Sequence, residues 1–212
     1  PLLTVLGARA VGVTGPVARL MCVGELAHLG SLLHDDVVDD SLERRGRPTA
    51  QRVFGNPAVI LTGDYCVAAG LTLAAEEGGA EAVTALARTV MAMSEGEVTQ
   101  LLNRGNLDLD LQDYLDVIDK KSAALISWCA AAGAWKVGDS AAAEALMRFG
   151  GTVGIAFQIT DDVLDYTGER SLTGKRRGQD LLERKPTLPL LLACERVPGL
   201  RERLAERAPT PA

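Results

Sequence analysis

Aspartates occur twice in this chain at one spacing: Asp35-Asp36-Val37-Val38-Asp39 and Asp161-Asp162-Val163-Leu164-Asp165. If each run is helical, its first and last carboxylates stand at i and i+4, about 40° apart around the axis and roughly 6 Å apart along it. They share one face. Like charges this close repel, and acids at the C-terminal end of a helix oppose its dipole, so neither cluster stabilises its own helix. A cation is expected between the carboxylates. With two histidines and four cysteines that lie far apart, zinc or copper has no ligand set. Carboxylate oxygens alone suit Mg²⁺, which takes one or two protein carboxylates and completes its octahedron with water and substrate phosphate. A single run of this kind reads as solvated surface acid. Duplication, with a basic loop behind each copy, argues for a site.

The loop after the first run carries Arg44-Arg45-Gly46-Arg47-Pro48, and the loop after the second carries Lys175, Arg176, Arg177, Asp180 and Lys185. Arginine grips phosphate oxygens through paired N–H groups and lysine acts as a point charge. Acids on a rigid helix with cations on the loop behind them suit a metal-bound diphosphate clamped from two sides. A competing phosphate motif fails: in the run from Gly168 to Arg176 the glycines have five intervening residues, Arg176 replaces the required hydroxyl residue, and no strand precedes it. Gly150-Gly151-Thr152-Val153-Gly154 lies inside a helical pattern and predicts close helix packing instead.

These loops need helices to hold them, and helix punctuation is legible. Thr14-Gly15-Pro16 opens a helix over 17–39, and Asn56-Pro57 opens another over 58–75 that Glu76-Glu77-Gly78-Gly79 ends. A third covers 80–102 and stops at Asn103-Arg104-Gly105-Asn106. Asp110 and Asp113 form a capping box for a fourth, ending near 138; Asp139-Ser140 opens a fifth reaching 166; a last one begins around 186. No stretch alternates as a strand would, so the fold is expected to be all-α. Apolar residues make up 47% and aromatics 4%, which predicts a core of Ala, Leu and Val suited to closely packed helices. Net charge is −6 and no basic block alternates with aromatics, which argues against a nucleic-acid partner. No run of eighteen or more uncharged apolar residues marks a transmembrane segment. Scattered cysteines and a non-basic start point to a reducing cytoplasm.

Taken together, Leu33-His34-Asp35-Asp36-Val37-Val38-Asp39, Arg44-Arg45-Gly46-Arg47-Pro48, Lys121-Ser122, the run Gly154 to Asp165 and Lys185-Pro186-Thr187-Leu188-Pro189 resemble a trans-type polyprenyl diphosphate synthase. The resemblance runs through nearly the whole chain in the right order. It implies an isoprenoid-synthase helical bundle around a central cavity, with three Mg²⁺ ions. In such enzymes an allylic diphosphate ionises, the double bond of isopentenyl diphosphate attacks the cation, and proton loss extends the chain by five carbons. Asp35, Asp39, Asp161 and Asp165 would ligate metal, with Asp36 adjacent. Arg44, Lys121, Ser122, Gln158, Lys175 and Lys185 would hold the allylic diphosphate, and Arg45 and His28 would contact isopentenyl diphosphate. A homodimer is implied, burying the surplus apolar faces of 58–75 and 125–137. His28, Ser122 and Gln158 also have a plainer reading, as polar residues satisfied within a bundle.

The resemblance also sets an expectation for product length. A tail anchored near Asp35 would run back along the same helix, where Gly30, Ser31 and Ala27 are small, so a product of twenty carbons or more is expected. The family's upstream Lys-Arg stretch and part of its C-terminal end are missing from 1–212. Two readings follow: an incomplete record of a longer synthase, or a non-catalytic, regulatory subunit of a heteromeric one. A terpene cyclase is the third choice, since the acidic motif occurs there too.

Overall fold

The computed structural model describes residues 1–44, 46–168 and 178–206. Helices carry nearly all of it: α1 (Leu2–Ala10), α2 (Ala18–Val38), α3 (Ala50–Phe54), α4 (Asn56–Leu102), α5 (Leu111–Ile118), α6 (Ala124–Lys136), α7 (Ser140–Thr167), α8 (Gln179–Leu182), α9 (Leu188–Arg196) and α10 (Leu200–Glu206). The all-α expectation holds, with one local addition. Glu43–Arg44 and Arg47–Pro48 form a two-residue antiparallel hairpin, β1 and β2, too short to leave an alternating signature in sequence.

The two helices expected over 58–75 and 80–102 meet at a kink within α4. Gly79 interrupts it with φ 68 and ψ −160, a conformation that only glycine adopts readily, and the chain turns there without leaving the bundle. α4 is the longest element, and both α2 and α6 pack on it. Its apolar window has mean hydropathy 1.6 with 28% of it buried, enough by length and composition alone to cross a bilayer. Soluble bundle helices pass the same test.

Between α5 and α6 the chain makes a π-turn, Asp119–Ala123, so 111–136 forms one almost continuous rod. Its start is the expected capping box: Asp113 N–H donates to Asp110 Oδ1 (2.8 Å) and Asp110 N–H to Asp113 Oδ2 (3.3 Å). Asp139 caps α7 through Ala142 N–H at 2.9 Å. The main core gathers Leu20, Val23, Ala74, Leu86, Ala131 and Trp128, whose indole N–H donates to the Ala82 carbonyl at 3.1 Å. A smaller cluster, Tyr114, Ile118 and Leu191, lies where α5, α7 and α9 meet.

Candidate active site

α2 ends at Val38, so the first acidic run occupies its last turn, with Asp39 as C-cap. The three carboxylates are not equivalent. Asp36 is 5% exposed, and its Oδ1 accepts from Arg44 Nε (3.0 Å) and Nη2 (2.8 Å). That bond anchors the hairpin to the helix, and Thr49 Oγ1 and Gln51 Nε2 tie the returning chain to the Ser41 carbonyl at 2.6 and 2.8 Å. Asp39 pairs with Arg104, from the turn after α4. Asp35 is half-buried. Burial pushes its pKa up to about 6; Glu97 and Asp39 add to the rise, while Lys121 and Arg44 oppose it.

The π-turn connects this motif to the second. Gly96 of α4 and Gly154 of α7 lie directly against it: a Cβ on Gly96 would stand 2.7 Å from the Lys121 nitrogen, and one on Gly154 would stand 2.5 Å from the Ala123 Cα. Only glycine allows both helices so close. Two consecutive residues then face different ways. Lys121 pairs with Glu97 and its charge reaches Asp35. Ser122 Oγ donates to Gln158 Oε1 at 2.7 Å, and Gln158 Nε2 donates to Asp162 Oδ1 at 2.7 Å.

Asp162 is 4% exposed and takes a further bond from Tyr114 Oη at 2.7 Å. Burial raises its pKa against those two hydrogen bonds, and burial with the Asp162 charge pushes the Tyr114 hydroxyl up as well. Its neighbours in the motif differ. Asp161 is exposed, and Asp165 is half-buried, accepting from Asp180 N–H at 3.2 Å. Lys185 is electrostatically linked to both motifs: the charges of Asp39 and Asp180 reach it, and its own reaches Asp162. It pairs with Glu183 at 2.5 Å. Burial would lower the Lys185 pKa, but the Glu183 bond and the surrounding acids outweigh it and raise it. Burial likewise opposes the Glu183 shift, yet Lys185 and Gln179 hold that carboxyl below its ordinary value.

The expected site residues thus fall into groups. Asp35, Asp39, Lys121, Arg44 and Lys185 gather at the ends of α2 and α4 and at the π-turn. Ser122 and Gln158 spend hydrogen bonds on each other and on Asp162. His28 is exposed on α2, seven residues before Asp35, and its carbonyl accepts from Ser31 Oγ at 2.9 Å. Arg45 and Lys175 lie outside the described residues, as do Arg176 and Arg177. The small residues before Asp35 need a different account. A Cβ on Gly30 would stand 3.0 Å from the Gly63 carbonyl oxygen of α4, and Ala27 is 3% exposed in the core. Both are small because α2 crosses α4 there; Ser31 alone of the three lacks such a constraint and is half-buried.

Sequence reasoning missed the acids that hold the cations, Glu97 and Glu183, together with Arg104, Tyr114 and Asp162 as a buried anchor. Gln158 and Asp162 stand at i and i+4 on one helix, so that pair was legible. Tyr114 is 48 residues from Asp162 and left no local signal.

The order of motifs along a helical bundle now meets its decisive match: residues 1–209 fit the family described as Polyprenyl synthetase. The chain belongs to the polyprenyl synthetase family. Among its relatives, proteins named "Octaprenyl diphosphate synthase" from Haemophilus influenzae and Escherichia coli are 42% and 39% identical, each match covering 91% of this chain and 59% and 60% of the relative. This polyprenyl synthetase chain therefore spans about 60% of the length of those curated relatives. A polyprenyl synthase from Caulobacter crescentus, crystallised with calcium and isoprenyl diphosphate, superposes with TM-score 0.89 at 39% identity, covering 99% of this chain and 66% of that one. A decaprenyl diphosphate synthase from Rhodobacter capsulatus gives 0.85 at 40%, covering 96% and 63%. The isoprenoid-synthase fold expected from the motifs is thereby shown.

Proposed function

We propose that this chain carries the condensing site of a trans-prenyltransferase, joining an allylic diphosphate to isopentenyl diphosphate head-to-tail with Mg²⁺. The observation that carries the reading is that the segment bearing Lys185 links the two motifs: the Arg184 carbonyl accepts from Gly105 N–H (2.8 Å) beside Arg104, which pairs with Asp39, while Lys185 N–H donates to the Asp180 carbonyl (2.8 Å) and Asp180 N–H to Asp165 Oδ2 (3.2 Å).

The donor set fits Mg²⁺ shared with a diphosphate. It is all oxygen, and among the described residues no three acidic, imidazole or thiol groups converge on one point, so phosphate and water would have to complete each octahedron. Asp35 and Asp39 would hold metal on one side, Asp161 and Asp165 on the other. When bound, Mg²⁺ supplies Lewis-acid stabilisation of the negative charge that develops on departing pyrophosphate. The chain's own part is electrostatic preorganisation. Lys121, Lys185 and Arg44 are each fixed by a carboxylate, from Glu97, Glu183 and Asp36, so they need little reordering to meet a diphosphate. Asp36 then serves the hairpin more than the metal. Ser122 and Gln158 keep Asp162 fixed beneath the second motif, and no nucleophilic side chain is required.

Relatives named for octaprenyl and nonaprenyl products support a long product, of twenty carbons or more. Leu61 (67% exposed) and Tyr65 (73%) on α4 leave an apolar face that suits a homodimer. A second reading makes the chain one component of a two-protein synthase; it draws on the Geobacillus stearothermophilus relative named "Heptaprenyl diphosphate synthase component 2", 42% identical. Incubating the purified chain with Mg²⁺, farnesyl diphosphate and labelled isopentenyl diphosphate tests both. Products longer than fifteen carbons that vanish with chelator support condensation. Products that form only after a second protein is added support the component reading, and no product in either case rejects the proposal.

A further inference from the structure

We propose that Arg104 is a diphosphate-binding residue that occupies the Asp39 carboxylate until a divalent cation takes it. The inference rests on reading the two aspartate motifs as a metal-diphosphate site. Arg104 pairs with Asp39 through Nη2, their side chains 33% and 19% exposed. Arg104 belongs to neither motif and to neither basic loop. It stands on the turn that ends α4, which is pinned to its surroundings through the backbone. Asn103 N–H donates to the Thr99 carbonyl at 3.0 Å, Arg104 N–H to Leu101 at 3.3 Å, and Gly105 N–H to Arg184 at 2.8 Å. The last bond joins this turn to the segment bearing Glu183 and Lys185, and the Arg104 charge reaches Glu183.

A divalent cation on Asp39 would meet the guanidinium as a like charge at contact range, so the two compete for that carboxylate. Displacement does not remove Arg104. Its backbone is fixed, so the side chain can swing only through its own length and stays near the segment 183–185. There it can offer paired N–H groups to the phosphate oxygens arriving with the metal. Arg104 therefore opposes the metal alone and favours the metal with diphosphate. A merely structural arginine would not produce these opposite signs.

Calorimetric titration of the full chain separates them, using Mg²⁺ alone and then inorganic pyrophosphate in saturating Mg²⁺. Arg104→Gln should bind Mg²⁺ alone roughly threefold to tenfold more tightly, because an exposed ion pair no longer competes. The same variant should bind pyrophosphate about tenfold more weakly, having lost a charge-assisted contact. Arg104→Lys, which keeps the charge but not the fork and guards against a folding defect, should lie between on both readings. Unchanged affinities, or weakening of both together, overturn the inference. Wild-type protein that binds neither probe overturns it along with the metal-diphosphate reading, whereas wild-type binding with an unresponsive Arg104→Gln overturns the inference alone.

Discussion

With Asp35 read as a Mg²⁺ ligand, lowering the pH should release the ion, and Asp35 sets where. A carboxylate must be ionised to ligate Mg²⁺, so metal competes with the proton. At pKa about 6, Asp35 is about nine-tenths protonated at pH 5, whereas a carboxyl at the ordinary 3.8 would be about nine-tenths ionised there. The apparent Mg²⁺ affinity should therefore fall roughly tenfold between pH 7.5 and pH 5. Titration calorimetry at pH 6 in two buffers of different ionisation enthalpy should show about half a proton released per ion bound at Asp35. Asp35→Asn should abolish that release. The stability of the metal-free fold moves the opposite way. Native protein binds the Asp35 proton between about pH 4 and 6 and the unfolded chain does not, so this group's contribution improves as pH falls through 6 and is lost as pH rises. Asp35→Asn should then raise metal-free stability at pH 7.5 by an amount of order 1–3 kcal/mol, which denaturant unfolding would read. Mg²⁺ affinity that stays flat from pH 7.5 to 5 would refute the reading of Asp35 as a half-buried metal ligand.

Three further variants probe what holds the site. Tyr114→Phe removes the hydroxyl bonded to the buried Asp162, which should destabilise the fold by about 1.5–3 kcal/mol in denaturant melts and more at high pH, where Asp162 is ionised; a loss below roughly 0.5 kcal/mol, the scatter of surface changes, speaks against a desolvated partner. Gly154→Ala and Gly151→Ala form a matched pair on α7. The first drives a methyl into Ala123 and should destabilise by about 1–3 kcal/mol, while the second meets nothing within 4 Å and should stabilise by about 0.5–1 kcal/mol. Similar thermal midpoints for the two would contradict the close approach at the π-turn.

What the sequence determined by itself was local. Acid spacing, capping boxes and proline placement depend on neighbours within one or two turns, so the start of α5 and the cap of α7 could be read directly, and the two acidic runs stood out as candidates. Gly150 and Gly154 were legible as packing residues for the same reason, sitting one turn apart in an unbroken helical pattern. Folding decided the pairings across long separations. Asp36 with Arg44 spans eight residues and was within reach, yet nothing in the pattern says that of three adjacent acids this one turns inward. Arg104 with Asp39 spans 65 residues and Tyr114 with Asp162 spans 48. Such contacts depend on which helices cross and at what height, and that depends on the whole core. The π-turn is the clearest case: its residues, Asp119–Ala123, have ordinary helical composition. Only the glycines of α4 and α7 pressing from two sides explain why Lys121 faces one motif and Ser122 the other.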